Sequence, residues 1–166
     1  MKRNFLNAVI FLTAIFLYVN AVHASEWATG AGSCYAQGDK ILDIGLPFPS
    51  GFLGLHANFD YGFHDAISGG IGVGVVNQWN GGTYGALVLR GAFHPFNLTA
   101  WSRDISGRNK FDLYLGLSAN IGNAYYYNYW LRELIGCRWY FAPKVGLFLE
   151  DCGGFGYLDF GFSFKF

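Results

Sequence analysis

Residues 157–166 read YLDFGFSFKF, and they alternate strictly. Leu158, Phe160, Phe162, Phe164 and Phe166 share one parity, and Asp159, Gly161, Ser163 and Lys165 share the other. A period of two predicts a strand with one greasy face and one polar face. The chain therefore poses one question first: what does the greasy face touch?

The pattern recurs along the chain. In 111–121, Phe111, Leu113, Leu115, Leu117, Ala119 and Ile121 alternate with Asp112, Tyr114, Gly116, Ser118 and Asn120. In 53–61, Leu53, Leu55, Ala57, Phe59 and Tyr61 alternate with Gly54, His56, Asn58 and Asp60. The same parity predicts eight strands, roughly at 40–48, 51–62, 66–79, 83–95, 110–122, 130–142, 144–152 and 156–166. The breaks PFPSG, FHDA, NGG, APK and CGGFG carry turn chemistry. No 3.6-residue period, strict repeat or domain boundary interrupts residues 25–166.

Composition orients the two faces. Charged residues are 13% of the chain, about half the usual soluble share, and aromatics are 20%. A soluble sandwich would turn Lys, Glu, Thr and Arg outward. Here the polar parity is mostly Gly, Ser, Asn, Asp and Tyr, which suits a narrow, crowded interior. Aromatics gather near the strand ends, with Trp79, Tyr84, Trp130 and Tyr157 at one end. Tyr61, Phe93, Phe111, Trp139, Phe141 and Phe166 gather at the other. An apolar outer band, two aromatic girdles and a polar lumen describe an eight-stranded antiparallel up-and-down transmembrane β-barrel. Strands of about 9–11 residues suit a tilted span, and closure removes edges that hydrocarbon cannot tolerate.

The first residues predict the compartment. Lys2 and Arg3 precede an apolar run, and Val22 and Ala24 stand at the small-residue positions before a cut. Residues 1–24 read as a secretory signal peptide cleaved after Ala24, rather than a permanent anchor. Residues 25–38 then form an N-terminal periplasmic segment, and 39–166 the barrel. Removing the leader leaves nine basic against eleven acidic residues, without the basic face that nucleic acid requires. Three cysteines, Cys34, Cys137 and Cys152, do not make a disulfide framework. Cys137 and Cys152 fall on opposite parities, an awkward geometry for a bond.

The stretches FDYGFHDAISGGIGVGV, KFDLYLGLSANIG and CRWYFAPKVGLFLEDCGGFGYLDFGFSFKF resemble the small outer membrane protein beta-barrel family of Gram-negative bacteria, in a form common in Bacteroidetes-type organisms. They cover about half of the chain that follows the leader. The resemblance implies a fold and a place, not a reaction. It also implies that Phe162, Phe164 and Phe166 act as a C-terminal signal read by the outer-membrane assembly machinery. Both termini are then periplasmic, and the connections near residues 49, 81, 126 and 154 face outside. The expected partners are outer-membrane lipid and that machinery, the protein being a monomer with no cofactor.

The inward positions Asp43, His56, Asp60, Arg90, Asp112, Arg138, Glu150, Asp159 and Lys165 predict a polar lumen network. Arg90, Arg138 and Lys165 would oppose Asp112, Glu150 and Asp159 in an ionic ladder that plugs the lumen, since lone buried charges are costly. An open pore requires a much wider barrel. Tyr125, Tyr126, Tyr127, Tyr129 and Trp130 form the candidate outer contact patch, unless they are simply the outer girdle. The alternatives are a barrel enzyme acting on lipid A and a secreted lipocalin-like barrel holding an apolar ligand. The sequence offers no convincing Ser–His–acid set for the first, and for the second its polar parity holds too few Lys and Glu to face water. His56, His94, Asp60 and the cysteines lack metal-ligand spacing. The expectation is a non-enzymatic protein with a structural or surface-interaction role.

Overall fold

A strand with one apolar and one polar face cannot satisfy its edges alone, and eight such strands do so by closing on themselves. The computed structural model describes residues 34–48, 52–78, 82–97, 109–122, 131–151 and 158–166. The strands are β1 (Lys40–Phe48), β2 (Phe52–His64), β3 (Ile67–Gln78), β4 (Thr83–Phe93), β5 (Phe111–Gly122), β6 (Leu131–Ala142), β7 (Val145–Asp151) and β8 (Leu158–Lys165). Each pairs antiparallel with its neighbours in sequence, and β8 returns to β1, giving a closed up-and-down barrel. The closing seam runs in register from Ile41↔Lys165 to Phe48↔Leu158.

The predicted strands all form, with ends shifted by up to two residues. β4 stops at Phe93 because Pro95 has no N–H to donate to a ladder, and Pro95–Asn97 form a 3-10 turn instead. The β2–β3 ladder slips between Gly62 and His64, and the β6–β7 ladder between Tyr140 and Ala142. Both irregularities lie beside tight turns at one end of the barrel, where bulges commonly re-aim a strand. This end, which also holds the start of β1 and the end of β8, is called the terminal end below. The other is the loop end.

Alternation sorts the side chains as the parity implies. Among the described residues, nineteen large hydrophobic side chains are exposed on the outer wall, including Leu55 at 60%, Val73 at 56% and Phe162 at 52%. That far exceeds the isolated apolar residues of an ordinary soluble surface. The interior is polar: Asp43, His56, Asn58, Asp60, Arg90, His94, Asp112, Arg138, Glu150 and Asp159 are all buried. At the terminal end, exposed Tyr61, Phe63, Trp139, Phe141 and Phe166 ring the wall. The side chains of the expected loop-end girdle, Trp79, Tyr84, Trp130 and Tyr157, lie outside the described residues.

Residues 34–39 do not trail away from the barrel. Gly38 N–H donates to the Gly62 carbonyl and Gly62 N–H to the Asp39 carbonyl, both at 2.9 Å. Gly38 takes φ +87°, which side chains rarely adopt, and this turn folds the segment back over the terminal mouth. Cys34 and Tyr35 are buried there.

Candidate functional site

Two arginines organise the lumen. Arg90 on β4 forks onto Glu150 of β7, Nη1 to Oε1 at 3.0 Å and Nη2 to Oε2 at 2.6 Å. Its Nε lies 3.0 Å from Asp60 Oδ1, an ion pair too bent to be a hydrogen bond. Tyr114 O–H donates to Glu150 Oε2 at 2.8 Å. Arg138 on β6 donates through Nη2 to Asp43 Oδ2 at 2.7 Å, through Nη1 to Asp112 Oδ2 at 3.2 Å, and also to the Asp60 carboxylate. Its guanidinium lies over the Tyr114 ring at 4.2 Å. Asp60 thus bridges both arginines. Four carboxylates share two guanidiniums in a space closed to solvent, where planar Arg forks suit carboxylates better than Lys point charges.

Gly136 makes room for this arrangement. A Cβ there would collide with the Tyr114 ring. The ring therefore lies flat against β6, beneath the Arg138 guanidinium.

The expected ladder is partly rearranged. Lys165 does not join it. At the terminal mouth its Nζ donates to the Cys34 carbonyl at 2.7 Å and pairs with Asp39 Oδ2 at 3.3 Å. Asp159 sits opposite Glu150 in register, yet both of its buried carboxylate oxygens lack a hydrogen-bond partner. The amide atoms of Asn58 and Asn120 are in the same condition. His56 faces Phe148 edge-on, with ring centroids 5.8 Å apart. The lumen is consequently lopsided. Around Arg138 the charges are paired, while Asp159 and Asn120 toward the loop end, and Asn58 beside Asp43, carry buried polar atoms of the kind ordered water satisfies.

The terminal end holds a constellation that sequence reasoning missed. His94 Nδ1 is 2.7 Å from Asp112 Oδ1, and His94 Nε2 is 2.9 Å from Ser68 Oγ. Ser68 pairs with Ala92 across β3–β4, so His94 stands diagonally opposite it on the same inward face. That register, once known, is the signal that would have found the set. The order matches a nucleophilic Ser–His–Asp relay, but two features work against free attack. Arg138 also engages Asp112, and the Tyr35 ring stacks on the imidazole at 3.7 Å and 4°. All three members of the relay are buried.

Tyr35 is held from several sides. Its O–H donates to the Ile67 carbonyl at 3.0 Å, and its own carbonyl accepts from Asn97 Nδ2 at 2.8 Å. Gln37 N–H donates to Asp65 Oδ1 at 2.9 Å, tying the segment to the β2–β3 turn. Burial pushes the Cys34 thiol and the Tyr35 phenol well above their ordinary values, and Asp112 adds to both shifts.

Phe162, Phe164 and Phe166 line the outer face of β8 and its end, with Phe162 and Phe166 exposed. Tyr125, Tyr126, Tyr127, Tyr129 and Trp130 lie outside the described residues, as do the leader and Cys152. Cys137 is a free, half-buried thiol. Among the described residues, no three His, Cys, Asp or Glu side chains gather as a metal site would require.

These features define a closed eight-stranded antiparallel barrel with an apolar wall, an ion-paired lumen and a capped terminal mouth. No protein-family model matches the chain, and no curated protein matches its sequence.

Proposed function

We propose that this chain is an integral β-barrel of a bacterial outer membrane, with a structural or surface-interaction role and a plugged rather than open lumen. One observation carries the reading: polarity is inverted, with nineteen exposed large hydrophobics outside among the described residues and an arginine–carboxylate lattice inside. Only a hydrocarbon surround makes such a wall favourable. Eight strands leave an interior just wide enough for side chains, and the lattice occupies it. The polar lumen also argues against a lipocalin-like barrel, which would turn apolar side chains inward around its ligand. The terminal end faces the periplasm, and the connection bearing Tyr125–Trp130 faces outward as the contact patch.

The decisive experiment compares boiled and unboiled samples of isolated outer membranes by gel mobility. A faster unboiled band in that fraction is expected. A protein free in the periplasm or medium, with no heat-dependent shift, overturns the reading. Replacing Tyr125, Tyr126, Tyr127 and Tyr129 with Ser is expected to abolish surface adhesion without altering the heat shift.

A second reading, a hydrolase, is favoured by the Ser68–His94–Asp112 geometry. In the proposed orientation this relay faces the periplasm, away from the leaflet that holds lipid A. A fluorophosphonate probe would label Ser68 after Tyr35→Ala if the relay is catalytic. Absence of labelling in that variant, shown folded by its heat shift, removes the hydrolase reading.

A further inference from the structure

The outer wall is uneven at the terminal end. Lys40, Lys110 and Lys144 are exposed there, and none forms an ion pair among the described residues. Backbone hydrogen bonds fix their placement. Tyr140 N–H donates to the Lys110 carbonyl at 2.7 Å, Lys165 N–H to that of Lys144 at 2.9 Å, and Phe166 N–H to that of Lys40 at 2.9 Å. The three lysines therefore follow one another along the rim from β5 round to β1. The β2–β3 turn on the other side of β1 carries His64 and Asp65 instead. Among the described residues of this rim, the acids Asp39 and Asp65 are occupied by the cap. Asp39 Oδ2 accepts from Ala36 N–H at 2.9 Å and pairs with Lys165, and Asp65 accepts from Gln37. The exposed acids Glu133 and Asp151 stand at the opposite end of β6 and β7.

Above the lysine arc the wall is notched. A depression of about 260 Å³ is lined by Cys137, Trp139, Leu147, Leu149, Phe160 and Gly161. Its origin is local. Cys137 is a short side chain between exposed Ile135 and Trp139 on β6, so the outer face of that strand recedes there. The notch is apolar, and exposed Trp139, Phe141 and Phe166 flank its lysine side. Aromatics at such a level mark a boundary between hydrocarbon and head groups.

We infer that this arc seats one anionic phospholipid, with an acyl chain in the notch and its phosphate over Lys110, Lys144 and Lys40. The inference rests on the barrel being embedded in a membrane. The chemistry is complementary at both ends of the ligand. The notch accepts methylenes, and three ammonium groups that pair with no acid among the described residues accept a head group with net negative charge. A zwitterionic lipid fills the notch equally well but neutralises the lysines less. The occupant belongs to the leaflet nearest the terminal end, where the three lysines stand.

Native mass spectrometry of the folded, purified protein tests this, with an equal mixture of dioleoyl phosphatidylglycerol and dioleoyl phosphatidylcholine. One phosphatidylglycerol is expected to be retained in preference. Lys40→Gln, Lys110→Gln and Lys144→Gln together are expected to reduce that preference at least tenfold, since each lysine near an anionic surface contributes about a fivefold effect. Cys137→Phe, which fills the notch, is expected to lower retention of both lipids. Glu133→Gln with Asp151→Asn is expected to leave the preference intact. Equal retention of the two lipids, a preference that survives the triple substitution, or equal binding of glycerol phosphate without chains would each overturn the inference. A protein that shows the heat shift in outer membranes but no lipid preference sinks this inference alone. A protein soluble without detergent sinks the membrane reading beneath it.

Discussion

Arg138 has no solvent exposure and holds Asp43, Asp60 and Asp112 on one guanidinium. Such a residue is hard to replace, because its loss strands several charges at once. Arg138→Ala is expected to cost about 3–5 kcal/mol, seen as a lower urea midpoint for loss of the heat-shifted band. Arg138→Lys should recover little of it, because an ammonium cannot fork onto three carboxylates. Gly136→Val is expected to destabilise comparably by displacing the Tyr114 ring, read in the same titration. The parity of Arg138, Asp43 and Asp60 was legible in the sequence, but their partnering was not. Spacing assigns a side chain to the lumen, whereas strand stagger decides which charge it meets across it. Lys165 shows the limit: its parity is inward, yet it lies too near the terminal mouth to reach the lattice. His94 shares the inward parity of Arg90, but its contacts with Ser68 and Asp112 depend on the register of two hairpins.

The segment Cys34–Asp39 behaves as a cap whose keystone is Tyr35. Tyr35→Ala is expected to expose His94 to diethyl pyrocarbonate, detected as an adduct on the His94 peptide that the parent protein lacks. Alkali should act in the same direction. Seated, Cys34 and Tyr35 keep their protons; released, they ionise as the pH passes their ordinary values of 9.0 and 10.0. The released form then binds fewer protons, so the seated form loses ground as pH rises through that window. The His94 adduct should accordingly increase above about pH 9. Maleimide should also modify Cys34 slowly at pH 7.5, because its buried thiol stays protonated. Nothing in SCYAQGD announces a cap. The segment has no period, and it is held by backbone carbonyls and a glycine turn rather than by an apolar face. The strands themselves were legible almost to the residue, because alternation and turn residues mark the same boundaries.

Closure joins the first strand to the last. Ile44 and Phe162 face each other across the β1–β8 seam. In a background lacking Cys34, Cys137 and Cys152, Ile44→Cys with Phe162→Cys is expected to cross-link under mild oxidation only when the barrel is shut, since facing pairs approach disulfide distance. A reducing gel compared with a non-reducing one checks this. The even strand count and the short turns made the topology readable, whereas the curvature that brings β8 back to β1 is set by the assembled sheet.

The seam has a kinetic consequence. It pairs residues at opposite ends of the barrel sequence, so it gains least from local structure and bears the largest loop-closure entropy. Until it forms, β1 and β8 both present open edges, ready to capture another chain. Lys165, at the end of β8, supplies the bond to the Cys34 carbonyl. The cap can therefore lock only once the last strand has arrived, and its seating times the end of folding.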